Sequence, residues 1–198
     1  MYNSIIVGTG YYVPENIVTN NDLSKMMDTS DEWIQERTGI RERRFATRGK
    51  DTTTSMGVRA AQMAMDKANI AKEDIDFLIF ATLSPDYYFP GCGVLAQKEL
   101  GLNTIGALDI RNQCSGFIYA LSVADQFIKT GMYKNILVIA SETQSPALDL
   151  TTRGRNMAVL FGDGAGAVVL SRCEQSNRGI LSSHLHSEGA YAEELAII

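Results

Sequence analysis

Two apolar rhythms alternate along this chain. Short, nearly continuous apolar runs cover Ser4 to Gly10, Asp76 to Ala81, Thr104 to Leu108 and Asn135 to Ala140, as expected of strands buried on both faces of a parallel sheet. Between them the spacing is helical. Met56, Ala60, Met63 and Ala64 share one face of a predicted helix that starts at possible caps in Thr52 to Ser55 and ends near Asn69. A second helix runs from about Gly93 to Leu100. Phe117, Ala120, Leu121, Ala124, Phe127 and Ile128 mark a third, through Lys129, with Gly131 where a C-terminal capping glycine belongs. Near the N-terminus, Asp22 is the expected cap of a short helix through Met27. Thr29 or Ser30 caps the next, which carries acidic Asp31 and Glu32 in its first turn and stops near Gly39. Arg41 to Phe45 alternates like a half-exposed strand, and Arg178 to His186 reads as a last strand. Helix–strand alternation of this kind predicts an α/β architecture. With no repeat, low-complexity run or linker, residues 1–198 are read as one structural unit.

Composition narrows the function classes. A hydrophobic content of 45% is that of an ordinary globular chain, and 198 residues hold one full-sized core. The net charge of −5 gives no basis for nucleic acid or an anionic membrane as partner. The three cysteines, Cys92, Cys114 and Cys173, are widely spaced and odd in number. That supports neither a zinc site nor a disulfide framework and suits a reducing cytoplasm. The N-terminus opens into a strand rather than a signal peptide, and no apolar run approaches membrane-spanning length.

Candidate chemistry centres on Cys114. It falls where the strand ending at Leu108 turns into the helix beginning at Phe117. A thiol there meets the free N–H groups and partial positive charge of a helix N-terminus, which favour the nucleophilic thiolate. Small Ser115 and Gly116 allow close approach of a substrate. Buried, inert cysteines are also common, and position alone leaves both readings open. Trp33 and Arg37, four residues apart, share a helix face. An aromatic plane beside a guanidinium suits an adenine ring and its phosphates; an amphipathic helix with a core tryptophan and a solvated arginine gives the same pattern. Arg41, Arg43, Arg44, Arg48 and Lys50 read as a solvated basic face. Tyr87, Tyr88 and Phe89 interrupt a loop bounded by Pro85, Pro90 and Gly91. Such aromatics either meet a partner surface or fold back on the core. Two glycine patterns fail as dinucleotide fingerprints: Gly8-Thr9-Gly10 is followed by Pro14 and Asn16, and Gly162 to Ala167 by strand-like Val168-Val169-Leu170, where a helix is required. The second reads better as a bend where backbones pass closely.

The motifs also carry a family resemblance. Gln113-Cys114-Ser115-Gly116-Phe117, Thr29 to Ile34 with Arg37 to Arg43, Tyr119 to Gln126, and Phe161 to Ala167 together resemble β-ketoacyl-acyl-carrier-protein synthase III, a thiolase-fold condensing enzyme. The resemblance covers all 198 residues, while family members are considerably longer. It implies the first of two α/β/α halves, with a mixed five-stranded sheet and a buried nucleophile helix opened by Cys114. It further implies coenzyme A binding by Thr29, Trp33, Arg37 and Arg153, although the segment from Arg153 to Leu160 is slightly longer than in the best-known members. Phe89, Gln144, Phe161 and Leu195 correspond to the acyl pocket, Phe89 from across a dimer interface. The polar Gln144 departs from the family's usual apolar residue at the wall that sets acyl preference.

The chemistry implied is a two-stage acyl transfer that starts fatty-acid synthesis in the cytoplasm. Cys114 takes the acyl group of an acyl-CoA, with coenzyme A as substrate rather than cofactor and no metal. Malonyl-acyl carrier protein then loses carbon dioxide and its carbanion attacks the acyl-cysteine. The family's decarboxylation donors, a histidine and an asparagine, fall beyond Ile198, so neither His184 nor His186 is expected to be catalytic and this stretch alone is expected to be inactive. A homodimer is implied. A related condensing enzyme with another acyl substrate, or a non-catalytic partner subunit of the same fold, is the alternative.

Overall fold

A computed structural model describes residues 2–175 and 177–195. Seven strands and six α-helices follow in order: β1 (Asn3–Tyr12), β2 (Ile17–Thr19), α1 (Asn20–Leu23), α2 (Asp31–Thr38), β3 (Glu42–Arg44), α3 (Thr53–Ala68), β4 (Phe77–Ala81), α4 (Cys92–Leu100), β5 (Gly106–Ile110), α5 (Gly116–Lys129), β6 (Asn135–Glu142), α6 (Arg155–Ala158) and β7 (Gly164–Cys173). Five of the strands form the expected mixed sheet in the order β1-β7-β6-β4-β5. The three strands β5, β4 and β6 are parallel, while β7 runs antiparallel to both β6 and β1. β2 and β3 make a separate antiparallel ribbon.

The apolar run of β4 is continuous because both of its faces are covered. Leu78 and Phe80 point to one side, where α3 and α4 contribute Ala60, Ala64, Cys92 and Ala96. Ile79 and Ala81 point to the other, against Ala120, Ala124 and Ile128 of α5. Small residues on all three helices bring them close to the sheet. On the α3 side the approach is closest at Gly8 and Gly10 of β1: a Cβ at either would overlap the backbone carbonyl of Ala64 or Ala60. The Gly-Thr-Gly pattern that fails as a nucleotide fingerprint is thus a crossing point for α3. Helix α5 is buried along Gly116, Ala120, Ala124 and Ile128, but Ile118 on its other side is 52% exposed. The expected burial of this helix holds for one face of it.

Caps explain the helix limits. Thr52 and Ser55 form a reciprocal capping box at the start of α3, and Asn69 (φ 52°) closes its end. Ser30 caps α2, which Gly39 ends at φ 73°. Helix α1 differs from expectation: its cap is Thr19, and Asp22 is the third helical residue, answering back to the Thr19 N–H. Asp22 therefore closes a capping box inside a single turn rather than starting a longer helix.

Three further expectations fail in whole or in part. Arg178 to His186 is not a strand. Ile180 N–H donates to Ser4 O at 2.9 Å, but Gly179 (φ 108°) turns the backbone and Leu181 is 68% exposed, so the alternating pattern has no buried face to serve. The glycines from Gly164 onward belong to β7 rather than to a bend; the close backbone approach holds at Gly162, against Arg44, and at Gly164, against Tyr12. Nor is the basic run uniformly solvated. Arg43 is 7% exposed and donates to Asn20 Oδ1 (2.8 Å) and to the carbonyls of Val18 and Val159, and burial lowers its pKa.

Candidate functional site

The parallel strands deliver the site. Ala81 of β4 is level with Ile110 of β5 on one side and Ala140 of β6 on the other. The loops that leave these three strands therefore start at one sheet edge, where sites in open α/β sheets collect.

Four residues past Ile110, Cys114 lies in a 3₁₀ turn, Gln113–Ser115, that runs into α5. The thiol is exposed. Gln113 holds φ 41°, a left-handed conformation that a non-glycine residue adopts at a cost. Asn112 Nδ2 donates to Ser115 Oγ at 3.0 Å and Ser115 Oγ to Asn112 O at 3.1 Å, bracing the turn from both ends. Gly116 sits where a side chain would press on Ala81 Cβ, so the turn lies directly on the end of β4. The turn thus presents Cys114 at the surface rather than in the core. Cys92 is the contrasting case: as the first residue of α4 it is fully buried against the sheet, and burial pushes its thiol pKa up.

Four residues past Ala140, the corresponding position of β6 holds Gln144. Two carboxylates fix this end. Glu142 accepts from Leu83 N–H (2.8 Å), Ser84 N–H (3.2 Å), Thr82 Oγ1 (3.2 Å), the Ser84 hydroxyl and Gln144 Nε2 (3.3 Å). Buried Asp163, from the Phe-Gly-Asp-Gly motif, accepts from the N–H groups of Gln144 (2.6 Å), Ser145 (2.8 Å) and Ala46 (2.6 Å) and from the Ser145 hydroxyl. The walls so fixed border a cavity of about 590 Å³ lined by Phe45, Ala46, Arg48, Thr143, Ser145 and Pro146 among others. Of the other residues matched to an acyl pocket, Phe161 is half-buried, whereas Phe89 and Leu195 are 91% and 73% exposed.

The loop between β4 and α4 is held at both ends and bare at its tip. Asp86 accepts from Thr53 N–H and Thr54 N–H, each at 2.9 Å, and from Thr52 Oγ1 at 3.0 Å. Asp109 of β5 accepts from Cys92 N–H (2.8 Å) and Gly93 N–H (2.9 Å) at the start of α4. Between these anchors Tyr88 and Phe89 are 90% and 91% exposed, so the aromatic tip does not fold back on its own core.

A third region collects the residues matched to coenzyme A. Helices α1 and α2 and the stretch after Thr152 pack around Leu23, Met27, Ile34, Ala158 and Val159. Trp33 lies against this cluster, with the Arg37 guanidinium carbon 4.4 Å from its ring centroid. The hydroxyl oxygen of Thr29 is buried and has no hydrogen-bond partner among the described residues. Arg153 does not join them: its side chain is 89% exposed and pairs with Asp149 at 2.7 Å. Arg155 takes the place instead, 4.6 Å from the Trp33 centroid, its Nη1 donating to Asp28 O at 2.6 Å. Sequence reasoning missed Arg155. The available signal was the Arg-Gly-Arg spacing, which offers two guanidiniums two residues apart in a segment slightly too long for the family pattern.

His184 and His186 lie exposed in the irregular segment after β7, where His184 Nε2 is 3.2 Å from Ser182 Oγ. Among the described residues no group of three His, Cys, Asp or Glu side chains is placed to hold a metal ion, and no helix is long and apolar enough to cross a membrane.

Comparison with known proteins follows this geometry. Residues 108–189, which include Cys114, match the family model of 3-oxoacyl-[acyl-carrier-protein] synthase III. The β-ketoacyl-[acyl-carrier-protein] synthase III of Pectobacterium atrosepticum is 51% identical over 197 residues, covering 100% of this chain and 60% of that protein. The solved 3-oxoacyl-[acyl-carrier-protein] synthase III of Aquifex aeolicus is 50% identical with a TM-score of 0.83, over 87% of this chain and 55% of the other. That of Thermus thermophilus reaches a TM-score of 0.90 at 38% identity, over 97% and 58%. The chain thus spans about 60% of the length of the curated relatives it matches. Over the stretch it spans, this chain is similar to the 3-oxoacyl-[acyl-carrier-protein] synthase III proteins.

Proposed function

We propose that this chain carries the acyl-accepting part of a condensing enzyme that starts fatty-acid synthesis. The observation that carries the reading is Cys114: an exposed thiol on a braced, left-handed turn at the mouth of a parallel sheet. Its thiolate attacks the carbonyl carbon of an acyl-CoA thioester, the bond to the coenzyme sulfur breaks, and coenzyme A leaves with the proton. Main-chain N–H groups at the start of α5 face the developing oxyanion. Malonyl-acyl carrier protein then loses carbon dioxide, and its carbanion attacks the acyl-cysteine carbonyl and releases the Cys114 thiolate.

The coenzyme is held by the Trp33 region, with Arg37 and Arg155 as the guanidiniums and Thr29 as the unpartnered hydroxyl. Arg155 replaces Arg153 in this assignment because Arg153 points to Asp149. Gln144 and Phe161 stand at the acyl end; Phe89 reaches a partner copy, since its side chain is bare on its own chain. The protein works as a homodimer in the cytoplasm. The test is acyl transfer itself: a short acyl-CoA labels Cys114, and Cys114→Ala takes up no label.

A further inference from the structure

Strands β6 and β7 part at the acyl end. Their ladder closes with Glu142 opposite Gly164. Beyond that pair, among the described residues, no main-chain hydrogen bond joins the stretch after β6 to the stretch before β7. Gln144 stands on one side of the opening and Phe161 on the other. Among the described residues one side chain spans it by hydrogen bonds: Asp163, from the Phe-Gly-Asp-Gly motif that the acyl-transfer chemistry leaves without a role. Asp163 is 6% exposed. Its Oδ1 accepts from Gln144 N–H (2.6 Å) and Ser145 N–H (2.8 Å), and its Oδ2 from Ala46 N–H (2.6 Å) and the Ser145 hydroxyl. The carboxylate thus stands in for the missing ladder, and charge-assisted bonds of this length are strong.

The two sides are held differently. The Phe161 side is fixed without the carboxylate. Asp163 N–H donates to Arg44 O at 2.8 Å, and a Cβ at Gly162 would lie 3.1 Å from Arg43 Cβ, so this stretch lies against β3. The Gln144 side has its backbone on Asp163. Only its amide tip reaches elsewhere, Nε2 to Glu142 Oε2 at 3.3 Å, beyond the usual length of a hydrogen bond. The gap between Gln144 and Phe161 is therefore set by the length of one aspartate side chain. We propose that Asp163 is the spacer of the acyl pocket, a positioning residue whose length sets the size of the acyl group that Cys114 accepts. This rests on Gln144 and Phe161 standing at the acyl end, and adds what fixes their separation. One methylene counts at such a position. Close-packed walls yield little, and an apolar pocket separates chains that differ by one methylene by roughly 10- to 200-fold.

The experiment lets acetyl-CoA and hexanoyl-CoA compete for Cys114 in the full chain and reads the ratio of the two acyl groups on the Cys114 peptide by mass. Asp163→Glu lengthens the spacer by one methylene and keeps the carboxylate. Ser145→Ala removes one of its four hydrogen-bond donors and keeps its length. Each variant is first checked for a cooperative melt, and coenzyme A affinity is followed through Trp33, the only tryptophan in the chain. The ratio is expected to move toward hexanoyl by about tenfold in Asp163→Glu and by about two- to threefold in Ser145→Ala, with coenzyme affinity unchanged. A merely structural defect lowers both acyl groups together and leaves their ratio alone. An unmoved ratio in a folded Asp163→Glu overturns the spacer; if that variant does not melt cooperatively, an unmoved ratio in Ser145→Ala overturns it. If neither acyl-CoA labels Cys114 in the wild type, the acyl-transfer reading fails instead. Amide hydrogen exchange then still decides whether Asp163 holds the wall: Gln144 and Ser145 exchange faster in Asp163→Asn than in wild type if it does, and equally if it does not.

Discussion

The three cysteines show how environment separates one residue type into different chemistries. Cys114 is exposed on its turn, Cys173 is half-buried at the end of β7, and Cys92 opens α4 against the sheet with its thiol pKa raised by burial. A raised pKa means that at a given pH less of Cys92 is thiolate, so its alkylation begins at more alkaline pH than that of an ordinary thiol. Iodoacetamide labelling of the native protein between neutral and alkaline pH, read by peptide mapping, is expected to modify Cys114 first and Cys92 last, with Cys92 released by unfolding. Native Cys92 reacting as fast as Cys114 contradicts this. The position of Cys114 was legible in sequence because a strand–helix junction needs only local pattern; its role as nucleophile entered through the family resemblance. Arg155 was not legible, since the choice between Arg153 and Arg155 depends on how the 149–155 segment turns and where Asp149 takes its partner. Arg43 was misread for a related reason: its acceptors, Asn20 and the carbonyl of Val159, are brought to it by tertiary packing.

Local signals set most elements correctly. Helices α3, α4 and α5 start and stop within a residue or two of expectation because their caps and apolar stripes agree. β4 and β6 read as buried strands because helices cover both of their faces. The 178–186 segment misled because alternation predicts a strand only when an edge is available along its whole length, and β1 offers it only Ser4 O, at Ile180, just after Gly179 has turned the backbone. The two glycines of β1 give a prediction at this scale. Gly10→Ala puts a methyl into the Ala60 carbonyl of α3, which neither backbone can yield. The expected loss is roughly 1–3 kcal/mol or more, measured as a lowered denaturation midpoint. Gly166→Ala, where nothing lies within 4 Å of the added carbon, is the control and is expected to change little. Equal midpoints for the two variants contradict the close crossing of α3 over β1.

At the scale of the molecule, apolar side chains stay exposed on the outer side of α5 at Ile118 and at the loop tip at Tyr88 and Phe89, and β5 is the last strand of the sheet on its side. An unpaired edge and bare aromatics each invite a second chain. Under the homodimer proposal, Tyr88→Ser with Phe89→Ser shifts the sedimenting species toward monomer without changing the circular dichroism of the fold; a wild-type chain that sediments as a monomer at every concentration contradicts it. The sheet order, by contrast with the strands themselves, was not written in any local pattern. Only the mixed, five-stranded character of the sheet entered through the family resemblance; the antiparallel insertion of β7 between β1 and β6 is a tertiary fact. What the whole arrangement achieves is to bring Cys114 and Gln144 to one sheet edge, each four residues past a strand position level with Ala81. The measurement that tests this most directly is peptide mapping by mass spectrometry after incubation with a short acyl-CoA. The account predicts one acyl group, carried on the peptide containing Cys114 and absent from Cys114→Ala. An acyl group on Cys92 or Cys173, or one that survives in Cys114→Ala, would contradict it.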